Sequence, residues 1–215
     1  SIMRLSTLTD GYLGALNERQ KEVVEAVDRN LHYFLDMIKN YLDLSRLEKG
    51  ELEVQETTVS LYADVIAPML DGLEGERQEK GIKVENGVPE DMEIDADRDL
   101  LRIVYDNLLA NALKYGRLGG RIVLDARQTE AETRMSIYNE GAGIPQEKMA
   151  LLFQKFSRIP HPAHQGEKGT GLGLYICKEI IEKHGGNIWA ESEEGQWAQF
   201  IFTLPREPNR AVGSA

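Results

Sequence analysis

Two glycine-rich runs follow a segment that carries asparagines, and together they supply the residue types that hold a nucleotide. The runs are residues 139–145 (Asn-Glu-Gly-Ala-Gly-Ile-Pro) and residues 169–174 (Gly-Thr-Gly-Leu-Gly-Leu). Glycine has no Cβ, so such loops let main-chain N–H groups approach phosphate oxygens. The preceding segment, residues 107–115, adds side-chain amides, which suit Mg²⁺, and a lysine that can meet a phosphate. The combination predicts an ATP site in which the two runs form a lid and a floor.

The asparagine segment has the spacing of one helix face. Asn107 and Asn111 lie at positions i and i+4, and Lys114 and Tyr115 follow on the next turn. We expect Asn111 to be the Mg²⁺ ligand. Two helical asparagines by themselves are more often simply solvated, and it is the neighbouring glycine runs that favour a site.

The N-terminal part of the chain has the periodicity of a helical hairpin. Apolar residues at helical spacing predict the end of one helix over residues 2–13. A second helix is predicted to begin at Asn17, where Asn17 and Gln20 can form a capping box, and to end at Gly50. The apolar stripe of such a hairpin is too long to be buried within it, which predicts dimerisation into a four-helix bundle.

Beyond residue 50, short strands and helices are mixed. We expect strands near residues 52–54, 82–84, 92–94, 120–127, 132–138, 187–192 and 196–204, and helices over residues 61–80, 97–115 and 175–184. Strand pairs with helices on one face predict an α+β fold, a two-layer α/β sandwich with a mixed, mostly antiparallel sheet.

Composition narrows the class of protein. The 215 residues carry a net charge of −11, which disfavours nucleic acid and offers no polybasic membrane patch. The absence of a long apolar run and the lone cysteine, Cys177, predict a soluble protein in the reducing cytoplasm. Around the second glycine run we expect a local cationic cluster of Lys155, Arg158, Lys168 and Lys178.

Residues 152–158 (Leu-Phe-Gln-Lys-Phe-Ser-Arg) lie between the two glycine runs and are called here the phenylalanine box. The order of asparagine helix, first glycine run, phenylalanine box and second glycine run resembles the ATP-binding domain of sensor histidine kinases of two-component systems. These belong to the GHKL superfamily, with type II topoisomerases and heat-shock chaperones. The similarity runs over residues 52–205, and residues 43–50 resemble the end of the kinases' dimerisation and phosphotransfer hairpin. It implies the Bergerat fold over residues 51–206, after a partial hairpin in residues 1–50 and before a disordered tail in residues 207–215.

The resemblance also assigns residues. It implies that Lys114 and Arg158 act on the phosphates, that Tyr115 packs beside the adenine or ribose, and that Phe156 belongs to the box that anchors a mobile lid. We expect this lid over residues 159–168, a loop of suitable length and composition. The expected ATP-binding residues are Asn107, Asn111, Lys114, Tyr115, Asn139, Gly141, Gly143, Ile144, Phe156, Arg158, Lys168, Gly169, Thr170, Gly171, Leu172, Gly173 and Leu174. For Phe153 and Phe156, plain packing is an equal alternative, since either use buries the rings.

Asn139 departs from the family pattern, which usually has an aspartate that accepts a hydrogen bond from the adenine amino group. An asparagine still offers one carbonyl acceptor and adds an NH₂ donor. Charge assistance is lost, so we expect nucleotide affinity to be weaker by about 1 kcal/mol.

The resemblance implies a protein-histidine kinase that uses ATP and Mg²⁺, works as a homodimer and passes its phosphoryl group to the aspartate of a response regulator. The family's acceptor motif, His-Glu/Asp-x-x-x-Pro-Leu, is not in this sequence, and His32 lies outside any such motif. We therefore expect a piece of a longer protein, which can be anchored to a membrane by segments outside this sequence. We expect this piece to bind ATP without phosphorylating itself.

Two other functions are compatible with the site. A degenerate nucleotide-binding scaffold that dimerises and regulates without catalysis would explain Asn139 and the missing acceptor. An ATP hydrolase of the topoisomerase or mismatch-repair kind is disfavoured, because those families carry a glutamate base where this chain has Asn107.

Overall fold

The computed structural model describes residues 14–48, 53–159 and 169–206. The helix expected over residues 2–13, most of the expected lid and the tail at residues 207–215 lie outside these ranges, as does Lys168.

Helix α1, Glu18–Glu48, begins where the capping box places it. The main-chain N–H of Gln20 donates to Asn17 Oδ1 at 2.9 Å, and that of Asn17 donates to Gln20 Oε1 at 3.0 Å. The helix has two apolar surfaces. Leu44 and Leu47, near its C-terminal end, are buried in the core of the following domain. A stripe of large apolar residues on the rest of the helix is exposed: Val23, Val27, Phe34, Leu35, Ile38, Tyr41 and Leu42.

The first strand lies later in the chain than expected. β1 is Thr57–Ser60, and residues 53 and 54 are not in a strand. β1 pairs antiparallel with β3, Glu93–Ala96, so that Val59 lies opposite Ile94 and both are buried. Burial of this pair, which local alternation around residue 53 does not reveal, sets the position of the strand.

The helix expected over residues 61–80 is broken into three pieces. A π-helical segment, Leu61–Ile66, leads into α2, Ala67–Gly72, and after Leu73 the chain continues as α3, Glu74–Glu79. Pro68, in the first turn of α2, has no N–H to donate to the preceding turn, which accounts for an irregular start.

The main sheet has five strands in the order β2, β4, β5, β7, β6. Their bounds are Lys83–Gly87 for β2, Arg121–Gln128 for β4, Glu132–Glu140 for β5, Asn187–Glu193 for β6 and Trp197–Pro205 for β7. β2 and β4 are parallel, and the other neighbouring pairs are antiparallel. A short 3₁₀ segment, Gln146–Leu151, follows the first glycine run.

Helices α4, Arg98–Tyr115, and α5, Gly173–Lys183, pack on one face of this sheet. Tyr105 of α4 meets Phe202 of β7 edge to face, with ring centroids 5.7 Å apart. The expected α+β sandwich with a mostly antiparallel mixed sheet is confirmed.

His184 joins the ends of the two helices. It is buried, its Nδ1 donates to Ile180 O at 2.8 Å, and its Nε2 accepts from the main-chain N–H of Asp97 at 3.1 Å. Asp97 in turn caps α4 by accepting from the N–H groups of Asp99 and Leu100. This link holds the C-terminal end of α5 against the N-terminus of α4, and thereby helps to set how the helices lie beside the site.

Candidate nucleotide-binding site

A cavity of about 260 Å³ opens between α4, the two glycine runs and the sheet. The expected residues that line it are Asn107, Asn111, Lys114, Tyr115, Asn139, Gly143, Ile144, Arg158, Gly169, Thr170, Gly171, Gly173 and Leu174. Residues that are up to 67 positions apart in the sequence, Asn107 and Leu174, thus meet at one place, because α4 packs on the face of the sheet that β5 and β7 help to form.

The two asparagines of α4 differ in what they contact. Asn107 Nδ2 donates to Ile103 O at 2.8 Å, and its Oδ1 lies against Gly173, where an added Cβ would be 2.4 Å away. Asn107 therefore supports the junction between α4 and α5. The side chain of Asn111 makes no hydrogen bond to any residue that the structure describes, and it lines the cavity.

The cations expected at the phosphates are placed beside the second glycine run. Lys114 Nζ lies 5.4 Å from the ring centroid of Tyr115 and close to Gly169, whose added Cβ would be 3.4 Å from it. Arg158 lines the same cavity. Of the wider cationic cluster that was expected, Lys155 pairs with Glu48 at 2.7 Å and Lys178 pairs with Glu182 at 3.6 Å, and neither lysine lines the cavity.

The first glycine run was expected to bring main-chain N–H groups to the phosphates, but three of these groups bind other parts of the chain. The N–H groups of Gly141, Ala142 and Ile144 donate to Gln196 O, Tyr115 O and Ser192 Oγ. These donors are therefore not available to phosphate. Gly141 does not line the cavity, and an added Cβ there would lie 2.1 Å from Tyr115 O. The glycine is needed because the end of α4 approaches so closely.

The second glycine run leads directly into the N-terminus of α5. This helix has no side-chain cap, and Gly173 and Leu174 of its first turn line the cavity. Thr170 Oγ1 accepts from the main-chain N–H of Leu172 at 3.2 Å. Leu172 itself is buried in the core and does not line the cavity.

In the phenylalanine box, the rings of Phe153 and Phe156 were both expected to be buried, and for Phe156 this is wrong. Phe156 has a positive φ of 59° and is 67% exposed, so its ring is neither core nor part of the cavity. An added Cβ at Gly171 would meet the main chain of Phe156 at 2.7 Å, which shows that the backbone of the box packs on the second glycine run. Phe153 is partly buried against the core.

Sequence reasoning missed a wall of the cavity that α1 supplies. Tyr33, Lys39 and Asn40 line it, together with Asp106 of α4. Asn40 Nδ2 donates to Thr170 Oγ1 at 3.0 Å, and Lys39 forms an ion pair with Asp106. The Asn40 contact spans 130 positions, so no local pattern could have found it.

The α1 wall buries one carboxyl group. Burial raises the pKa of Asp43 above its ordinary value; Lys39 and Arg46 partly offset this effect, and Asp106 adds to it. Asp43 Oδ2 accepts no hydrogen bond from the residues that the structure describes.

The floor of the cavity is formed by β5 and β7. Asn139 is directly opposite Ala198 in the antiparallel pair, and Phe200 of β7 lies further along the same face. Asn139 is 2% exposed. An apolar floor with one buried amide, facing helices and loops that carry cations and free N–H groups, can hold a planar base at one side and phosphates at the other.

Comparison with known proteins decides the family. The family described as "Histidine kinase-, DNA gyrase B-, and HSP90-like ATPase" matches residues 96–208. The chain belongs to this ATPase family. The resemblance to sensor histidine kinases is confirmed, and with it the assignment of an ATP-binding domain.

Relatives and solved structures agree with this family. The circadian input-output histidine kinase CikA of Synechococcus elongatus is 32% identical over 94% of this chain and 27% of its own length. The catalytic domain of histidine kinase ThkA is 31% identical, with a TM-score of 0.63 over 72% of this chain and 97% of that domain. ThkA in complex with the response regulator protein TrrA is 26% identical, with a TM-score of 0.71 over 97% of this chain and 60% of that one.

The chain spans between 27% and 54% of the length of eight curated relatives that it matches. Within residues 14–48, 53–159 and 169–206, no helix has both the length and the apolarity that crossing a membrane requires.

Proposed function

We propose that the chain is the cytoplasmic catalytic portion of a sensor histidine kinase. It binds Mg-ATP and transfers the γ-phosphoryl group to a histidine outside this sequence, for relay to a response-regulator aspartate. The observation that carries the proposal is the cavity itself, where Asn111, Lys114 and Arg158 meet the N-terminus of α5 above the sheet floor.

The residues present fit a magnesium ion that is shared with phosphate. Asn111 is an amide without another partner in the described residues, and no group of three or more acidic, histidine or cysteine side chains converges there to make an all-protein metal site. Mg²⁺ commonly takes one or two protein ligands and completes its shell with phosphate oxygens and water. When bound, it would neutralise charge on the phosphates during transfer.

The chain's own groups would position and neutralise the phosphates. Lys114 and Arg158 bring positive charge to the cavity, and the first N–H groups of α5 add donors at the positive end of a helix dipole. Phosphoryl transfer depends mainly on this kind of electrostatic positioning, so no protein base on the ATP side is invoked.

The proposed partners are a second copy of the chain and a receiver domain. The exposed apolar stripe of α1, which includes Phe34, Ile38 and Tyr41, is what a homodimeric bundle formed by the N-terminal hairpin would cover. The structure of a similar protein, ThkA, contains the response regulator TrrA. This supports a response regulator as a partner of the present chain as well.

Calorimetric titration of ADP tests the nucleotide site. We expect Mg²⁺ to strengthen binding to the natural chain, and Asn111→Ala to weaken ADP binding by about tenfold or more, about 1.4 kcal/mol, and to remove most of the Mg²⁺ effect. The matched control is Asn187→Ala, because Asn187 is exposed at the start of β6 and lies outside the cavity. Equal Mg²⁺ dependence in Asn111→Ala would contradict the metal assignment.

Phosphotransfer separates a kinase from the scaffold alternative, which Asn139 favours. With γ-labelled ATP the chain alone should stay unlabelled, and an acid-labile label on it would contradict the proposal. After N-terminal extension by a helix that carries the family's acceptor motif, a kinase becomes labelled. An extended chain that binds ADP but never becomes labelled is a scaffold.

Hydrolysis as the main activity is disfavoured by the contacts of Asn107. Its amide donates to Ile103 O and packs on Gly173, and an amide cannot accept a proton from water as a carboxylate base does.

A further inference from the structure

If the cavity binds a nucleotide as proposed, its lining determines which purine base it accepts. The cationic side chains that line the cavity are Lys39 on α1, Lys114 on α4 and Arg158 at the end of the phenylalanine box. The strands of the described sheet contribute Asn139, Ala198 and Phe200. Phosphates need the cations and the helix N-terminus, so the base is left to the sheet floor. Among the described residues, Asn139 is the one polar side chain of that floor.

The backbone of Asn139 is fixed in the sheet, because β5 is paired with a strand on either side. Asn139 is 2% exposed, and its neighbours across the sheet are Ile122 on β4 and Ala198 on β7. Both neighbours are apolar and buried, so neither competes for the amide. Because Asn139 also lines the cavity, its amide can take a hydrogen-bond partner from a bound ligand.

The hydrogen bonds of Asn139 leave this amide available. Nδ2 donates to the main-chain oxygen of Glu140 at 3.4 Å, which is long for such a bond. In the part of the chain that the structure describes, Oδ1 accepts no hydrogen bond. Rotation of the terminal amide, which exchanges the two atoms, therefore breaks only one weak contact.

We propose that Asn139 is a specificity residue that lets the cavity bind 6-oxopurine as well as 6-aminopurine nucleotides. Adenine presents an amino donor at position 6, whereas hypoxanthine and guanine present a carbonyl acceptor there. In one orientation the Asn139 amide accepts a hydrogen bond from the 6-amino group through Oδ1. In the other orientation it donates a hydrogen bond from Nδ2 to the 6-oxo group.

A carboxylate at position 139 would act differently. It offers acceptors only, so, with the base held in the same place, it would pair with a 6-amino group and repel a 6-oxo group. Asn139→Asp keeps the shape of the side chain but replaces its donor by an acceptor and adds a negative charge, and a control variant must account for the charge.

The experiment is calorimetric titration of the natural chain and of Asn139→Asp with the Mg²⁺ complexes of ADP, IDP and GDP. IDP carries the 6-oxo group without the 2-amino group of guanine, so it tests position 6 alone. We expect the natural chain to bind ADP and IDP with dissociation constants within about tenfold of each other, and Asn139→Asp to shift the ratio towards ADP by about tenfold or more. The control is Asn187→Asp, which adds the same charge outside the cavity and should leave the ratio unchanged.

The possible outcomes test the base specificity and the proposed nucleotide-binding function separately. A preference of the natural chain for ADP beyond tenfold, or a ratio that Asn139→Asp leaves unchanged, overturns the inference while the proposed function stands. Binding of IDP without GDP supports it and adds that the cavity excludes the 2-amino group. No binding of any purine nucleotide defeats the proposed function itself. Because the ADP to IDP ratio is measured first on the natural chain, the inference remains falsifiable even if Asn139→Asp fails to fold.

Discussion

Gly173 shows how a single residue controls the site through its neighbour. It opens α5, and its missing Cβ leaves the space that Asn107 Oδ1 occupies. Asn107 can hold its position, with its bond to Ile103 O, only while that space is free.

We expect Gly173→Ala to preserve the fold and to lower nucleotide affinity. The added Cβ would lie 2.4 Å from Asn107 Oδ1, so this side chain must rotate and give up its bond to Ile103 O. The expected loss is about tenfold in ADP binding, or about 1.4 kcal/mol. The matched control is Gly75→Ala, because an added Cβ at Gly75 meets nothing within 4 Å. Unchanged ADP affinity in Gly173→Ala would show that Asn107 does not support the site.

Tyr105 carries a buried hydroxyl that has no use in the core. Its ring packs on Phe202, but its hydroxyl has no partner among the described residues, and burial raises its pKa. Because an unpaired buried hydroxyl is unfavourable, we expect Tyr105→Phe to leave the free energy of unfolding unchanged or to raise it by about 1 kcal/mol. Tyr105→Ala should lower it by about 3 kcal/mol or more, since the ring is lost as well. A clear loss of stability in Tyr105→Phe by urea denaturation would mean that the hydroxyl has a partner, such as a buried water.

At the scale of elements, α1 is attached to the ATP-binding domain by polar as well as apolar contacts. Asn40 reaches Thr170, Lys39 pairs with Asp106, and Glu48 pairs with Lys155. The first two contacts join residues that line the cavity. The same side chains therefore hold α1 against the domain and face the proposed nucleotide.

Asp43 makes this docking depend on pH. Burial raises the pKa of its carboxyl in the folded chain above the ordinary value of 3.8, so the folded state holds the proton more tightly than the unfolded one. The stability contribution of this residue therefore falls as pH rises from 3.8 through the raised pKa. We expect Asp43→Asn to raise the free energy of unfolding at pH 7 by about 1 kcal/mol, and the gain to shrink as pH falls towards 3.8.

The control for this prediction is Asp91→Asn, which alters an exposed carboxylate in a loop. Urea denaturation at several pH values measures both variants. A gain from Asp43→Asn that is the same at pH 7 and at low pH would show that charge is not its cause.

At the scale of the whole molecule, α1 leaves its apolar stripe uncovered in a single copy. Ile38, in the middle of the stripe, is 55% exposed. If two copies pack along this stripe, Ile38→Glu places a charge in an apolar interface and should shift the chain to monomer.

Sedimentation at micromolar concentration measures this shift, with Arg19→Glu as the control because Arg19 is exposed near the helix start and outside the stripe. A natural chain that is already monomeric under these conditions would contradict the proposed homodimer.

The sequence predicted much of the architecture and of the site, for identifiable reasons. The capping box at Asn17, the helix expected over residues 97–115 and the glycine run before α5 are local signals, and the structure agrees with each. The position of β1 was missed because it depends on a partner strand far along the chain. Phe156 was misjudged because its backbone, rather than its ring, packs on the second glycine run.

What the sequence determined by itself is the set of chemical groups: the amides of α4, the cations Lys114 and Arg158, and the glycine-rich loop before α5. These follow from residue type and short spacing, which local backbone geometry converts directly into a face or a helix end. Only the tertiary structure decided which groups are free to act. It commits the N–H groups of the first glycine run to other parts of the chain, brings Asn40 to Thr170, and buries Asn139 in an apolar floor, since hydrogen-bond partners and burial depend on residues that are distant in sequence.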